Sequence, residues 1–178
     1  MLGEIPDSTL DLRVNGVNLV PGTLRDQLAG GAHLLIFLRH FGCLFCRETL
    51  ADLRAAAEAD PGYPPVLLFF QGSPTEGRAL LRRYWPAARA VSDPELRVYA
   101  AFGIHRGNLL QLFGPGVWAA KRRAEAKGHQ QGERTGDVFM MPGVFLVQGG
   151  RVLWSHQYRH AGDHPDLARI PELLAGAG

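Results

Sequence analysis

Cysteine is scarce in this sequence, because 178 residues contain only two. Two cysteines cannot provide the disulfide framework that holds some small proteins together, and a bond between these two would close a very small loop. Net charge is equally small: 19 Lys and Arg face 17 Asp and Glu, a balance of +2. Such a balance gives no strong attraction to nucleic acid or to a membrane surface, and we expect neither as a partner.

Long apolar runs are lacking as well. The longest uninterrupted apolar stretch is far shorter than the roughly 20 residues of a membrane-spanning helix. The first residues, MLGEIPDSTLDL, contain acidic side chains and no apolar core of a secretory signal. We therefore expect a cytoplasmic protein in a reducing compartment. The length and a hydrophobic fraction of 46% are typical of one globular domain over residues 1–178.

The two cysteines lie three positions apart, in Cys43-Leu44-Phe45-Cys46. They follow the apolar run 34–38 (LLIFL) and precede a segment whose apolar residues recur at helical spacing. A strand that ends at a Cys-x-x-Cys, which in turn opens a helix, is typical of thiol redox chemistry. The thiolate is the reactive form, and a helix N-terminus stabilises negative charge. This spacing also places both sulfurs on one side of the first helical turn.

Strands and helices alternate along most of the chain. An Asn-Gly pair at positions 15–16, between short alternating segments, predicts an N-terminal β-hairpin. Capping boxes predict helix starts at Thr23 and Ser73. Further strands are predicted at 34–38, 65–70, 90–92, 144–147 and 151–155, and further helices after Cys43, after Asp93, at 117–127 and at 165–174. The pattern favours an α/β fold whose central mixed sheet carries helices on both faces.

Four segments carry a resemblance to a known family: 37–48 (FLRHFGCLFCRE), 93–107 (DPELRVYAAFGIHRG), 136–147 (GDVFMMPGVFLV) and 162–166 (GDHPD). They resemble the peroxiredoxin-like branch of the AhpC/TSA antioxidant-enzyme superfamily, which is related to prostamide/prostaglandin F synthase. The resemblance spans about residues 10–166. It implies a thioredoxin-like fold and a thiol-dependent reductase or peroxidase.

The chain departs from the ordinary peroxiredoxin pattern at three positions. Peroxiredoxins carry Pro-x-x-x-Thr-x-x-Cys before the cysteine that attacks the peroxide. Here Ile36 stands in place of the Pro and His40 in place of the Thr. Pro142 occupies a position where many peroxiredoxins have a peroxide-orienting Arg. The groups that usually hold and polarise a peroxide are therefore missing or replaced.

The cysteines are the candidate catalytic residues. We expect Cys43, nearest the helix N-terminus, to be the nucleophile, and Cys46 to be the resolving thiol that closes an intramolecular disulfide. The alternative is a pair of buried cysteines that act only as small apolar residues. A closed structural zinc site needs four ligands, and the two cysteines with His40 provide three, so no metal is expected.

Four further residues are candidates for a supporting role. Arg39 and His40 end the strand before the cysteines, where a positive charge or a proton relay would favour the thiolate. Alternatively, both are ordinary polar residues at a strand end. The resemblance implies a cis bond between Met141 and Pro142, in a loop that lies against the cysteines. Met141 would then wall the site, and its backbone would pair with an incoming substrate or chain.

Several functions remain open at this level. The substrate is expected to be a peroxide or a disulfide, on a small molecule or a protein. A non-enzymatic redox-sensing or binding protein on a thioredoxin-like scaffold is the alternative. No G-x-G-x-x-G follows a strand, so no flavin or nicotinamide cofactor is predicted. Reducing equivalents are expected from an external dithiol donor of the thioredoxin or glutathione type.

Two other features of the sequence allow more than one interpretation. His156, His160 and His164 recur every four residues, but Gly and Pro interrupt any helix there, which favours a solvated loop over a metal site. The basic run 121–123 is expected to be a solvated helix face. The Leu, Phe and Trp residues of 109–118 fit either a core or a dimer surface.

Overall fold

The computed structural model describes residues 3–175 and contains a six-stranded sheet with the order β1-β4-β3-β2-β5-β6. The strands are β1 (Asn15–Val17), β2 (Ala32–Phe37), β3 (Val66–Phe70), β4 (Arg89–Ser92), β5 (Gly143–Gln148) and β6 (Arg151–Ser155). Strands β2, β3 and β4 run parallel, whereas β1, β5 and β6 pair antiparallel with their neighbours. The predicted mixed sheet is confirmed.

The helices connect these strands in the predicted alternation. They are α1 (Asp7–Leu10), α2 (Leu24–Gln27), α3 (Leu44–Ala59), α4 (Pro74–Tyr84), α5 (Arg97–Ala101), α6 (Leu109–Phe113), α7 (Pro115–Ala126) and α8 (Ile170–Ala175), the last preceded by a 3₁₀ turn at Leu167–Arg169. Both predicted capping boxes form, at Thr23 and at Ser73. Within residues 3–175, no helix has the length and apolar character needed to cross a membrane.

Helices cover both faces of the sheet. On one face the ring of Phe37 stacks on Phe69 with centroids 4.4 Å apart and meets the edge of Tyr99 from α5 at 5.0 Å. Neighbouring residues of a strand point to opposite faces. Ile36, the residue before Phe37, borders a small cavity together with Cys46 of α3. Strands covered on both faces are apolar at nearly every position, which is the pattern of β2 and β3.

The predicted hairpin turn at Asn15-Gly16 was wrong. Asn15 and Gly16 lie within β1, which pairs with β4 instead of with the segment that follows it. Two backbone hydrogen bonds do join residues 12–14 to 22–24, but the connection between them is longer than a two-residue turn. A Cβ on Gly16 would lie 1.9 Å from the carbonyl oxygen of Ala90. The glycine therefore serves the close approach of two strands, not a tight turn.

Candidate active site

The two cysteines meet at the turn from β2 into α3. Cys43 is the N-cap of α3, directly before Leu44, and its N–H donates to the carbonyl of His40 at 3.1 Å. Cys46 lies in the first helical turn. Both thiols are free, and the residues are only 1% and 5% exposed. The strand, the turn and the helix are thus those predicted from the Cys-x-x-Cys.

Arg39 is the charged group beside the two sulfurs. Its guanidinium Nη1 lies 3.5 Å from Cys43 Sγ, and its backbone N–H donates to Cys46 Sγ at 3.2 Å. The same guanidinium donates to the carbonyls of Val138 at 2.6 Å and Met140 at 2.9 Å. These bonds hold the positive charge in one orientation. A buried guanidinium held beside a sulfur favours the thiolate over the thiol.

The two thiols differ in acidity. Burial raises the pKa of Cys43, but a hydrogen bond from Cys46, the charge of Arg39 and backbone N–H groups of α3 outweigh burial and lower this pKa to about 6. Burial, the hydrogen bond to Cys43 and the charge of Cys43 raise the pKa of Cys46 well above its ordinary value. Near neutral pH, Cys43 is therefore mostly a thiolate, whereas Cys46 keeps its proton. A nucleophile and a resolving thiol require this asymmetry.

His40 is buried at the end of the strand that leads to the cysteines. Its Nδ1 atom finds no hydrogen-bond partner within the described chain, residues 3–175. Burial, followed by the charges of three nearby arginines, lowers the pKa of His40 to about 4. The imidazole is therefore neutral at physiological pH, and one of its ring nitrogens is available for a further hydrogen bond.

A cavity of about 320 Å³ opens beside the Cys-x-x-Cys. Arg39, His40, Leu44 and Phe45 line it on the cysteine side. The opposite side is mainly apolar and is formed by α6, α7 and the approach to β5, through Leu112, Phe113, Val117, Trp118, Val138 and Phe139. Its volume is in the range of small-molecule sites, which are typically apolar with a few placed polar groups.

The polar segment 128–138, the cover loop, lies over the start of α3. The N–H of Leu44 donates to the side chain of Gln131 at 3.4 Å. The N–H of Gly132 donates to the carbonyl of Gly42 at 2.9 Å. Backbone N–H groups in the first turn of a helix have no partner within the helix, so the loop supplies one. Because the loop covers the helix start, it contributes to the burial of the thiols.

The Met141–Pro142 bond is trans, so the predicted cis bond was wrong. The N–H of Met141 donates to the carbonyl of His105 at 3.1 Å, next to an antiparallel bridge between Arg106 and Met140. This extended pairing suits a trans bond, which is also the intrinsically favoured form. The backbone N–H of Met141 is therefore already paired in this conformation. Pro142 borders the small cavity behind Cys46, away from the larger one.

Two polar residues that the sequence did not single out hold the strand ends in place. Gln71, directly after β3, donates to the carbonyl of Arg39 and accepts from the N–H of Asp137 at 2.7 Å. The hydroxyl of Tyr99 lies 2.5 Å from the carbonyl of Leu38. The carboxyl ends of parallel strands meet at one edge of a sheet, where functional groups gather. The first polar residue after the strand next to β2 was therefore a usable signal for Gln71.

The side chain of His164 is only 8% exposed, so the predicted solvated loop was wrong for this histidine. Its Nε2 lies 3.0 Å from the carboxylate of Glu48, and its Nδ1 lies 3.2 Å from the hydroxyl of Thr49. Glu48 is fully buried and accepts two further hydrogen bonds from Arg123 at 2.8 and 2.9 Å. Among residues 3–175 no group of three or more His, Cys, Asp or Glu is placed to hold a metal.

The fold is shared with proteins of known structure. Peroxiredoxin Q from Xanthomonas campestris is similar with a TM-score of 0.70 and 20% identity, over 99% of this chain and 98% of that chain. The bacterioferritin comigratory protein of the same organism, studied for alkyl peroxide reduction, gives 0.63 and 17%, over 100% and 98%. A protein assigned as the thiol:disulfide interchange protein DsbE from Chlorobium tepidum gives 0.61 and 16%, over 99% and 97%. These likenesses show a thioredoxin-like fold.

Comparison with curated protein sequences gave no match. A family model described as AhpC/TSA antioxidant enzyme matches residues 49–160, which is more than half of the chain. The match begins just after the Cys-x-x-Cys and ends beyond β6. The chain therefore belongs to the AhpC/TSA antioxidant enzyme family, and it is an oxidoreductase of the thiol-dependent class with a thioredoxin-like fold.

Proposed function

We propose that this protein reduces peroxides through a dithiol and disulfide cycle of Cys43 and Cys46. The observation that carries the proposal is the position of the Arg39 guanidinium, 3.5 Å from Cys43 Sγ. It accompanies a pKa of about 6 for Cys43 and a raised pKa for Cys46. Cys43 is thus a thiolate that can attack a peroxide, while Cys46 remains protonated. The unit that acts is the single thioredoxin-like domain expected over residues 1–178.

In the first step the Cys43 thiolate attacks one oxygen of the peroxide. An S–O bond forms and the O–O bond breaks, so the sulfur loses two electrons and the peroxide gains them. The departing oxygen leaves as an alkoxide or hydroxide and takes up a proton to become an alcohol or water. His40 lines the cavity and is neutral near physiological pH, so we expect its imidazole to hydrogen-bond with the peroxide. Arg39 stabilises the negative charge on the Cys43 sulfur before the reaction and on the departing oxygen as the O–O bond breaks.

In the second step Cys46 attacks the sulfenic acid on Cys43. An S–S bond forms and the S–O bond breaks, and the proton of Cys46 leaves with the hydroxide as water. An external dithiol of the thioredoxin or glutathione type then reduces the disulfide, giving two electrons and two protons. Two electrons thus pass from the external dithiol, through the sulfurs of Cys46 and Cys43, to the peroxide.

The cavity supports an organic peroxide as the substrate. Apolar side chains of α6 and α7 form much of its lining. Hydrogen peroxide has no apolar group to pack against them, whereas the organic part of an alkyl peroxide does. The Xanthomonas campestris bacterioferritin comigratory protein, which shares the fold, was studied for alkyl peroxide reduction. We therefore expect cumene hydroperoxide to be reduced with a higher kcat/KM than hydrogen peroxide.

Two cysteine variants test the cycle. Cys43→Ser should lower dithiothreitol-driven peroxide turnover by about a thousandfold or more, because the nucleophile is lost. Cys46→Ser should still form one sulfenic acid per chain, detected by mass after dimedone labelling, but no intramolecular disulfide. Peroxide turnover that persists in Cys43→Ser would overturn the proposal.

Disulfide exchange with a protein is the second candidate. The Cys-x-x-Cys and the likeness to the DsbE-type protein favour it. The burial of Cys43, at 1% exposure, opposes it, because a protein disulfide must reach the sulfur. A stable mixed disulfide between Cys46→Ser and an oxidised protein substrate, with no dimedone adduct after peroxide, would decide for this candidate.

A further inference from the structure

Four large apolar side chains on α6 and α7 are exposed to solvent. They are Leu109 at 75%, Leu110 at 71%, Phe113 at 57% and Trp118 at 66%, and we call them the α6–α7 patch. Among the described residues, Val20 is the one other large apolar side chain with comparable exposure. Phe113 follows Leu110 by three positions and Leu109 by four on one short helix, so its side chain neighbours both. A cluster of this kind marks an interaction surface, whereas a single exposed apolar residue does not.

The patch is held firmly in place. Asn108 and Gln111 form a capping box at the start of α6, with hydrogen bonds of 2.9 and 3.0 Å. Leu112 and Val117 turn inward and are buried. The N–H of Ala161 donates to the carbonyl of Gln111 at 2.9 Å and ties α6 to the segment after β6. The outward position of the four side chains is thus part of the packed structure.

The segment that carries the patch is also the basic part of the chain. Residues 104–124 contain four of the 19 Lys and Arg and none of the 17 Asp and Glu, so the remainder has 15 basic against 17 acidic residues. Arg123 turns inward to Glu48. Lys121, Arg122 and Arg106 remain exposed around the patch. The nearly neutral chain as a whole therefore hides a local excess of positive charge.

The acidic groups that face these cations do not cancel them. Asp137, whose side chain is 24% exposed, lies 3.4 Å from Arg106, whose side chain is 64% exposed. Glu125 lies 3.6 Å from Lys121, and both of these side chains are about half exposed. Exposed pairs of this kind are weak and screened by solvent, so the cations stay available to a second anionic surface. Arg122 lies one helical turn after Trp118 and forms no ion pair within 4 Å among residues 3–175.

We propose that the α6–α7 patch docks on the surface of an anionic lipid bilayer. Apolar side chains enter the boundary between headgroups and acyl chains, and a basic rim meets the lipid phosphates. Trp118 suits this depth, because the indole ring favours the membrane interface. The geometry is that of a protein lying on a bilayer, not spanning it.

The position of the patch gives this docking a consequence. Phe113 and Trp118 belong both to the patch and to the lining of the cavity beside the Cys-x-x-Cys. A bilayer that covers the patch therefore lies at the mouth of that cavity. A second copy of this chain is a poorer occupant, since a two-fold interface would bring the same cations together.

Vesicle binding tests the proposal and does not depend on the thiols, so it stands apart from the proposed peroxidase activity. The probes are vesicles of phosphatidylcholine and phosphatidylglycerol in equal parts, with pure phosphatidylcholine vesicles for comparison. We expect co-sedimentation with the anionic vesicles that weakens as salt is added. The variant Leu110→Ser/Phe113→Ser should bind at least about tenfold more weakly, because it loses apolar insertion. Val20→Ser, the matched control at an exposed site elsewhere, should bind like the unaltered protein.

Four results would overturn the proposal. The first is no binding to anionic vesicles. The second is equal binding by the double variant, with its fold verified by circular dichroism, and the third is an equal loss in Val20→Ser. The fourth is a different occupant: a dimer abolished by the double variant assigns the patch to a second copy. The patch is likewise assigned to an acidic donor protein if the unaltered protein binds no vesicles and the double variant loses peroxide turnover driven by thioredoxin but keeps turnover driven by dithiothreitol.

Discussion

Arg39 combines three roles at the scale of a single residue. Its backbone N–H holds Cys46, its guanidinium approaches Cys43, and the remaining donors bond to carbonyls of the chain before β5. A lysine in this position would keep the charge but lose the planar fork that bonds in several directions. The residue therefore links the acidity of Cys43 to the placement of the cover loop and β5.

The acidity of Cys43 predicts a pH profile. Only the thiolate is alkylated, so the rate of Cys43 modification by iodoacetamide should rise as the pH increases through about 6 and level off above it. Arg39→Gln removes the charge, so the midpoint should move to higher pH and the rate near neutral pH should fall about tenfold. Arg39→Lys should lie between the two, because it restores the charge.

The control for this series is Arg54→Gln, which removes an exposed arginine of α3, the helix that begins at the cysteines. It should leave the alkylation profile of Cys43 unchanged. A midpoint that stays near 6 in Arg39→Gln would show that helix N–H groups and Cys46, rather than Arg39, determine the acidity of Cys43.

The cover loop belongs to the scale of an element. Four hydrogen bonds join it to the start of α3 and the turn before it. The side chain of Gln131 accepts from Leu44, the hydroxyl of Thr135 accepts from Phe41, Gly132 donates to Gly42, and the carbonyl of Gln130 accepts from Arg47 at 2.7 Å. The loop forms no helix or strand of its own, and segments with few buried contacts open more readily than the core does. Access to the thiols is therefore expected to follow the opening of this loop.

Gly42 offers a way to disturb the loop without touching the thiols. A Cβ at this position would lie 2.0 Å from the carbonyl oxygen of Glu133, so Gly42→Ala must displace the cover loop. We expect Cys43 to be alkylated about three to ten times faster, because the loop opens more often. Gly3→Ala, where no atom lies within 4 Å of the added Cβ, is the control.

Hydrogen exchange at the N–H groups of Leu44 and Gly132 provides a second readout for Gly42→Ala. Both should exchange faster, because their partners lie in the displaced contact. Unchanged exchange and alkylation would mean that the loop does not control access to the site.

Glu48 connects distant parts of the whole molecule. It lies on α3, it pairs with Arg123 and Lys127 at and just after the end of α7, and it meets His164 in the segment before α8. Burial raises the pKa of Glu48, but hydrogen bonds from these three partners outweigh burial and hold the pKa well below its usual range. The cluster thereby joins the helix of the cysteines to the helix that walls the cavity.

Removal of this buried charge should weaken the whole fold. Glu48→Gln should lower the free energy of unfolding, measured in urea, by about 3 kcal/mol. The reason is that Arg123 and Lys127 lose the buried carboxylate with which they pair. Folding lowers the pKa of Glu48, so its stabilisation is complete above the ordinary value of 4.5 and declines as the pH falls below it. The variant should therefore lose part of the acid dependence of stability.

Glu58→Gln is the control for Glu48→Gln. It removes an exposed carboxylate of the same helix, paired with Arg54 at 2.8 Å, and should cost less than about 0.5 kcal/mol. Similar losses in both variants would mean that the buried cluster contributes no more than a surface pair.

The sequence by itself determined the features that a few neighbouring residues encode. The continuous apolar runs predicted β2 and β3 as central strands, since strands covered on both faces are apolar at nearly every position. Thr23 and Ser73 predicted helix starts, because a capping box is complete within four residues. The Cys-x-x-Cys predicted the strand, the turn and the helix that hold the two thiols.

Tertiary structure alone decided the features that depend on segments far apart in the chain. The partner of β1, the burial of His164 and the hydrogen bonds of Gln71 all involve residues that no local pattern connects. Net charge is an average over the chain and gave no sign of the basic surface around the α6–α7 patch. Local patterns record which residues must be buried or capped, whereas the partner that buries or pairs with them is chosen only when distant segments pack together.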